Sequence, residues 1–412
     1  MKRKAGIDRR QALRAAAAFG ALGSMAGRPW ALGGPRLLAA DPDAEREGDG
    51  AVLVLVQLSG GNDGLSTVVP YADDAYHAAR STTRIDQDEV LPLDDYVGLH
   101  PALGGLRGLY DEGRIAIVQG CGYPRPNRSH FKSMEIWHSA DLRGRAAGQG
   151  WVGRLCTAAF GDRTEASRLV HIGGTVPFSL YSPVHGASSF VVPEGYRWIG
   201  KEDEVAGYDA DERRKPSGKS RLDFLRGVLS DARESSKAIR TAAASYRPKV
   251  DYPDDSFGLD LRAAAALVRG DVGARVLSVE LRGFDTHSSQ RSPHNTLMRR
   301  LDHGLSAFLR DLGSGEETRD VVVLAFSEFG RRVQENGSRG TDHGAAGPMF
   351  VAGTRVRGGL HGAHPSLVEL EGGDLVHTTD FRAVYGAAIE ACFGVRTADV
   401  LGAGTKPLDL FS

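Results

Sequence analysis

Two uninterrupted apolar runs constrain the fold of this chain more than any other feature. The first spans Ala51–Leu58 and the second Val321–Phe326, and both are rich in valine and leucine. They lack the apolar–polar alternation of a strand with one solvent-exposed face. Each therefore fits a central strand of a parallel sheet that is covered on both sides. Such a sheet needs helices to cover it.

Shorter strand-like and helical segments alternate with these runs. We predict further strands at 114–119, 169–172, 274–281 and 349–352, and helices at 100–111, 295–312 and 380–393. This alternation is typical of an α/β fold with a doubly wound, mostly parallel sheet and helices on both faces. We expect a single α/β hydrolase-like domain over residues 51–412, with a charged, proline-containing insertion near residues 175–260.

The amino terminus has the pattern of an export signal. Basic residues, the Arg9-Arg10 pair and a run of small and apolar residues follow one another within residues 1–40. This order resembles a twin-arginine signal and predicts the twin-arginine export machinery as a partner. Cleavage after Ala26 or after Ala40 fits equally well, and residues 41–50 read as a polar linker. We therefore expect an exported protein, periplasmic or extracellular.

The balance of charge and apolar residues excludes two classes of partner. The chain carries 51 Lys and Arg against 52 Asp and Glu, a net charge of −1. Nucleic-acid-binding domains are usually strongly basic, so no nucleic-acid partner is expected. No apolar segment reaches the roughly 20 residues of a membrane-spanning helix, so no stable membrane insertion is expected.

Polar side chains cluster where the predicted strands end. Ligands bind outside the carboxyl ends of strands in open α/β sheets, so these side chains are candidates for chemistry. Carboxylate and imidazole are the groups that bind divalent metals. The candidates, in chain order, are Asn62 and Asp63, Arg128 and Ser129, Asp285 and His287, Glu328, and Asp342 and His343.

Each cluster taken alone also has an ordinary structural interpretation. The Gly60–Gly64 segment is a generic turn sequence, Glu328 could cap a helix, and Asp342 and His343 could be a hydrogen-bonded loop pair. The adjacent Ser129 and His130 are weak evidence for a nucleophile–base pair. Their joint placement at one edge of the sheet favours a metal site.

Six segments, taken in order, resemble the domain-of-unknown-function family 1501 of exported bacterial proteins. They are LVQLSGGNDGLSTVVP, GLHPALGGLRGLYDEGRIAIVQGCG, NRSHFKSMEIW, FDTH, FSEFGRRVQENGSRGTDHG and TTDFRAVYGAAIEACFG. That family is similar to the alkaline-phosphatase and sulfatase superfamily, whose members hydrolyse phosphate or sulfate esters at a metal site. The resemblance implies an alkaline-phosphatase-like fold.

The resemblance also implies roles for individual residues. Ser129 would be the nucleophile. The negative charge of such an ester separately leads us to expect Arg128, Asn62 and Arg331 to hold the anion. Phe329 stands where the superfamily has a histidine, so the site holds one ion, two with altered ligands, or is degenerate. In an alternative alignment, Asp342-His343 is the Asp-His pair and His361 or His364 the last ligand. The implied metal ligands are Asp63, Asp285, His287, Glu328, Asp342 and His343.

The expected function is therefore a metal-dependent hydrolase of a small anionic ester, with one or two zinc, manganese, calcium or magnesium ions. One alternative is a non-catalytic extracellular binding or assembly protein that recognises charged glycans, which Phe329 favours. A metal-free serine hydrolase using Ser129 ranks last, because the chain has no GxSxG sequence.

Overall fold

A computed structural model of the chain describes residues 50–143, 148–163, 165, 167–196, 233, 235–313 and 320–412. The predicted signal at residues 1–40 and nearly all of the linker at 41–50 lie outside these residues, as does 197–232 within the predicted insertion. The described residues belong to one compact unit, Gly48–Ser412. In this part of the chain, no helix is both long enough and apolar enough to cross a membrane.

The strands follow the apolar runs of the sequence. They are β1 Val52–Ser59, β2 Val68–Val69, β3 Leu91–Pro92, β4 Gly98–Leu99, β5 Ile115–Gly122, β6 Leu169–Ile172, β7 Ala187–Phe190, β8 Val276–Arg282, β9 Val321–Phe326, β10 Arg331–Glu335, β11 Thr341–His343, β12 Gly347–Ala352, β13 Gly359–His361, β14 Leu370–Glu371, β15 Asp374–Leu375 and β16 Thr379–Asp380.

The helices are placed mainly between the strands of the central sheet. They are α1 Gly64–Thr67, α2 Asp74–Ala79, α3 Gly104–Asp111, α4 His130–Ser139, α5 Trp151–Phe160, α6 Ser256–Arg269, α7 Arg291–Leu312, α8 Phe381–Phe393 and α9 Thr397–Leu401, with 3₁₀ turns at Phe178–Leu180 and Pro193–Gly195. Residues 235–245 are also helical.

One large sheet forms the centre of the described structure. Its strand order is β13-β5-β12-β9-β1-β8-β6-β7, and β16 also pairs with β5. Its pairings are parallel except those of β12, which runs antiparallel to both β5 and β9. The prediction of an α/β fold with a mostly parallel sheet is confirmed, and the reversed β12 makes the sheet mixed.

Helices cover both faces of this sheet because its central strands carry apolar residues on both sides. In β1, Val52, Val54 and Val56 belong to one core, which α3, α6 and α7 complete. Leu53 and Leu55 point into the opposite core, where α4, α5 and α8 pack. The central strands are thus buried on both sides, as their composition predicts.

Candidate metal centre

Loops at one edge of the central sheet bring the predicted site residues together. β1, β5, β8 and β9 run in the same direction and end at this edge, and antiparallel β12 starts there. The segments that follow the four strands, and the segment before β12, carry the polar clusters of the sequence. The edge is therefore the one at which α/β sheets bind ligands.

Buried Arg331 holds these loops in place. Its side chain has no exposed surface, and its guanidinium donates hydrogen bonds to backbone carbonyls of three different segments, those of Gly60, Gly61, Phe284 and Thr341. A planar guanidinium with five N–H groups suits such multiple donation. Arg331 therefore ties the loops after β1 and β8 to the β10–β11 hairpin.

Three imidazoles converge on one carboxylate oxygen at this edge. Oδ1 of Asp285 lies 2.9 Å from Nε2 of His287 and 3.0 Å from Nε2 of His343. Nε2 of His130 is 3.6 Å from the same oxygen. His287 and His343 also place their Nε2 atoms 2.9 Å apart. His130, Asp285 and His343 thus bring three potential ligand atoms within 4.8 Å of one another, and His287 adjoins them.

The other ring nitrogen of each histidine faces an acceptor. Nδ1 of His130 lies 2.9 Å from Oε1 of Glu328, and Nδ1 of His287 lies 3.3 Å from Oδ1 of Asp342. Nδ1 of His343 lies 2.8 Å from the carbonyl oxygen of Arg128. A carbonyl or ionised carboxylate can only accept, so a neutral ring that donates through Nδ1 to these acceptors presents the lone pair of Nε2 to the cluster. This is the tautomer that a metal-binding histidine needs.

This arrangement fits a divalent metal ion. A cation among these Nε2 atoms and the carboxylate oxygen would offset the repulsion between their lone pairs, which Arg331 offsets only from the side of Asp285 and His287. Nε2 of His130 is buried and has no hydrogen-bond partner in the described structure. Tetrahedral ligands at 2.0–2.2 Å from zinc lie roughly 3.3–3.6 Å apart, close to the separations of 2.9–3.6 Å from Asp285 Oδ1. His130, Asp285 and His343 form a group that could hold a metal ion.

Neighbouring charges adjust the ionisation of the group. Partial burial opposes ionisation of Asp285, yet the hydrogen bond and the charge of Arg331 lower its pKa to about 2. The hydrogen bond to Glu328 raises the pKa of His130 against the effect of burial. A carboxylate on Nδ1 of a histidine makes Nε2 a more basic ligand.

The ring of Phe329 packs against the imidazoles of His130 and His343. Its ring centroid lies 4.9 Å from that of His130 and 4.7 Å from that of His343, and the side chain is buried. A Cβ on Gly61 would lie 2.2 Å from Cε2 of Phe329, so glycine makes room for the ring. The aromatic residue at this position packs against two potential ligands.

The sequence predicts Glu328 and Asp342 as metal ligands, but in the structure both contact histidines of the cluster. Each contacts Nδ1 of a histidine whose Nε2 faces the cluster. Glu328 is fully buried and also accepts a hydrogen bond from the backbone of Gly60. Asp342 also accepts one from Asn336. Carboxylates in this outer position orient histidine ligands.

Asp63 and Asn62 lie outside the cluster. Asp63 is bound by both terminal nitrogens of Arg80 at 2.6 and 2.9 Å, and neither side chain is exposed. Burial alone would raise the pKa of Asp63, but the charge and hydrogen bonds of Arg80 lower it to about 2. Buried Asn62 accepts a hydrogen bond from Thr67 and lies 3.3 Å from His294. Both residues belong to a buried network of hydrogen bonds outside the cluster.

Arg128 and Ser129 flank the cluster on the β5–α4 loop. The Arg128 side chain pairs with Asp374 at 2.6 Å while its carbonyl holds His343. Ser129 is exposed and stands directly before α4, and its hydroxyl makes no hydrogen bond to the described residues. His361 and His364, the alternatives for the last metal ligand, have other partners. Nε2 of His361 contacts the Arg357 carbonyl, and His364 packs against Tyr96.

His130 is the site residue to which the sequence assigned no role. Only its position beside Ser129 after a predicted strand could have pointed to it. The fold makes it the first residue of α4 and sets its ring between Glu328 and Asp285.

Fold and site together define an α/β protein with a candidate metal centre of three histidines and one aspartate. Residues 209–387 match the model of a family described as "Protein of unknown function (DUF1501)", which supports the resemblance to that family. This match includes Asp285, His287, Glu328, Asp342 and His343.

Comparison with other proteins adds little to this match. No curated protein matches the chain. Among solved structures, one titled "Crystal structure of Ps i-CgsB" is similar at 10% identity and a TM-score of 0.36, covering 87% of this chain and 77% of that one.

Proposed function

We propose that the protein is an exported, metal-dependent hydrolase of phosphate or sulfate esters. One observation carries the proposal: three Nε2 atoms with their Nδ1 partners already in place converge on Oδ1 of Asp285. His130, His287, His343 and Asp285 would hold the ion. A bound divalent metal supplies Lewis acidity that activates a hydroxyl or water and neutralises an anionic ester.

Three nitrogens and one carboxylate oxygen favour a transition metal over a hard cation. Imidazole suits zinc and its neighbours, whereas calcium and magnesium prefer oxygen ligands. Of the four metals that the sequence allowed, zinc and manganese therefore rank above calcium and magnesium.

Ser129 is the proposed nucleophile. Its hydroxyl is exposed and without a hydrogen bond in the described structure, and the next residue in the chain is His130. Its place on the β5–α4 loop, directly before a proposed ligand, supports this assignment.

Arginine side chains beside Ser129 favour an anionic substrate. Arg128 and Arg332 both pair with Asp374, at 2.6 and 3.5 Å. Asp374 alone cannot pair fully with both guanidinium groups, so both are candidates to hold an anionic substrate, although Glu371 adds a negative charge nearby. Guanidinium binds the oxygens of phosphate and sulfate through paired hydrogen bonds.

Turnover of aryl esters tests the proposal. The mature protein, stripped of metal and reloaded with zinc or manganese, should cleave an aryl phosphate or an aryl sulfate. Ser129→Ala should abolish turnover and leave the metal content unchanged. Ser245→Ala is the matched control, since Ser245 is also exposed but bonds only helix carbonyls. Metal-loaded protein that cleaves neither ester would contradict the hydrolase proposal and favour the binding protein.

Export is tested separately through the twin-arginine pair. A fusion of residues 1–50 to a reporter should leave the cytoplasm, and replacing Arg9-Arg10 by two lysines should block it. Unchanged export of the lysine variant would contradict this route.

A further inference from the structure

We infer that the centre binds a single divalent ion, because buried Arg331 already places a positive charge on Asp285 and the other carboxylates predicted as ligands are engaged elsewhere. This inference rests on the proposed metal centre. It decides between the one-ion and two-ion sites that the sequence left open.

One oxygen of Asp285, Oδ1, contacts both the histidines of the cluster and Arg331. This oxygen lies 2.9–3.6 Å from the three Nε2 atoms. The same oxygen accepts a hydrogen bond from Nη2 of Arg331 at 2.8 Å. In two-metal hydrolases the ions lie roughly 3.5–4 Å apart. The positive charge of Arg331 beside this carboxylate repels a second cation at that distance.

Arg331 cannot easily move away to admit a second ion. Its side chain is fully buried, and its donors are engaged by carbonyls of Gly60, Gly61, Phe284 and Thr341. Displacing it would leave a buried charge and several carbonyls without partners, which costs several kcal/mol. The guanidinium is therefore a permanent cation of the site.

The carboxylates predicted as additional ligands are also engaged. Asp63 is held by Arg80 through two hydrogen bonds and accepts others from Ser66 and Gln290. Glu328 and Asp342 hold Nδ1 atoms. Within the described ranges, His130, Asp285 and His343 are the core of the group that could hold an ion, with His287 adjoining. One His/Asp/His group remains, with His287 beside it, and these residues offer enough ligands for one zinc-class ion.

Native mass spectrometry of the full mature chain tests the inference. The protein is stripped with a chelator, incubated with excess zinc and desalted before its mass is measured. The expected mass increase corresponds to one zinc ion per chain. Asp63→Asn should also retain one ion, because Asp63 is not a ligand. His130→Ala should weaken zinc binding by at least the 10–100-fold that loss of an outer-sphere partner causes.

Two results would overturn the inference in different ways. Two zinc ions per wild-type chain, with one lost in Asp63→Asn, would show that Asp63 is a ligand and that Arg331 does not exclude a second ion. That result would leave the proposed function standing. Zinc absent from wild-type protein that circular dichroism shows to be folded would overturn the single-ion site and the proposed function together. Circular dichroism of each variant ensures that a lost ion is not a lost fold.

Discussion

Nδ1 of His130 lies 2.9 Å from Oε1 of Glu328, while Nε2 of the same ring faces Oδ1 of Asp285. The buried carboxylate fixes the orientation of the ring and its tautomer. Glu328 is therefore a positioning residue, which acts through the histidine rather than on a substrate.

Removing the charge of Glu328 should weaken metal binding. In Glu328→Gln the amide keeps the shape, but its neutral oxygen is a weaker acceptor for His130 Nδ1 and the Gly60 amide. We expect zinc affinity to fall by about 10–100-fold, as measured by competition with a chromophoric chelator. Glu89→Gln, which removes only a half-exposed ion pair with Arg291, is the control. Equal affinities in the two variants would contradict the positioning role.

The contact between Gly61 and Phe329 should matter for stability and for the metal. Gly61→Ala adds a Cβ at 2.2 Å from the Phe329 ring in a backbone with φ of +78°, so it combines strain with a clash. Gly113→Ala is a matched control, since φ is +71° and no neighbour lies within 4 Å of the added Cβ. We expect the control to lose about 1–2 kcal/mol in unfolding free energy, and Gly61→Ala to lose about 1–3 kcal/mol more.

Denaturant unfolding measures both glycine variants. The clash should also displace the ring that supports His130 and His343, so zinc affinity should fall in Gly61→Ala alone. If both variants lose the same stability and keep the same affinity, Phe329 does not support the centre.

The pair of Asp63 and Arg80 should be essential for folding stability. Both side chains are fully buried, so Arg80→Met leaves a carboxylate without its cation. We expect a loss of about 3–5 kcal/mol in unfolding free energy. The double variant Asp63→Asn, Arg80→Met removes both charges and should lose less. A double variant less stable than Arg80→Met would refute the ion-pair account.

Buried His138 should make the fold less stable in mild acid. Burial lowers its pKa from 6.5 to about 4, and its Nε2 contacts Oε1 of Gln57 at 2.7 Å. Between these values the unfolded chain binds a proton that the folded chain does not, so stability falls as pH drops. From pH 7 to pH 5 this single group should cost about 2 kcal/mol.

Urea unfolding with a chelator present isolates this effect, because metal binding also depends on pH. His138→Gln should lose less stability between pH 7 and pH 5 than the wild type does. An identical loss in both proteins would mean that His138 does not remain neutral in the fold.

Local sequence patterns predicted the strands well and their directions less well. β9 was predicted at its observed bounds, because a short β-branched run between polar residues is typical of a buried strand. The predicted strand at 349–352 is the antiparallel β12, which begins at Gly347. Composition does not distinguish parallel from antiparallel pairing in a strand buried on both sides, so the reversal could not be predicted.

The location of the site was predictable, but the partners of its side chains were not. Strand ends pointed to Asp285, His287 and His343, which the fold brings into contact. The sequence could not show that Arg80, 17 residues after Asp63, binds that carboxylate. It could not show which ring nitrogen Glu328 faces either, because such pairings depend on how distant loops pack.

X-ray absorption spectroscopy of the zinc-loaded protein tests the central claim most directly. The account predicts about three imidazole nitrogens and one oxygen at roughly 2.0–2.2 Å from the metal, with one imidazole lost in His130→Ala. A first shell of oxygens alone, or a spectrum that His130→Ala leaves unchanged, would contradict it.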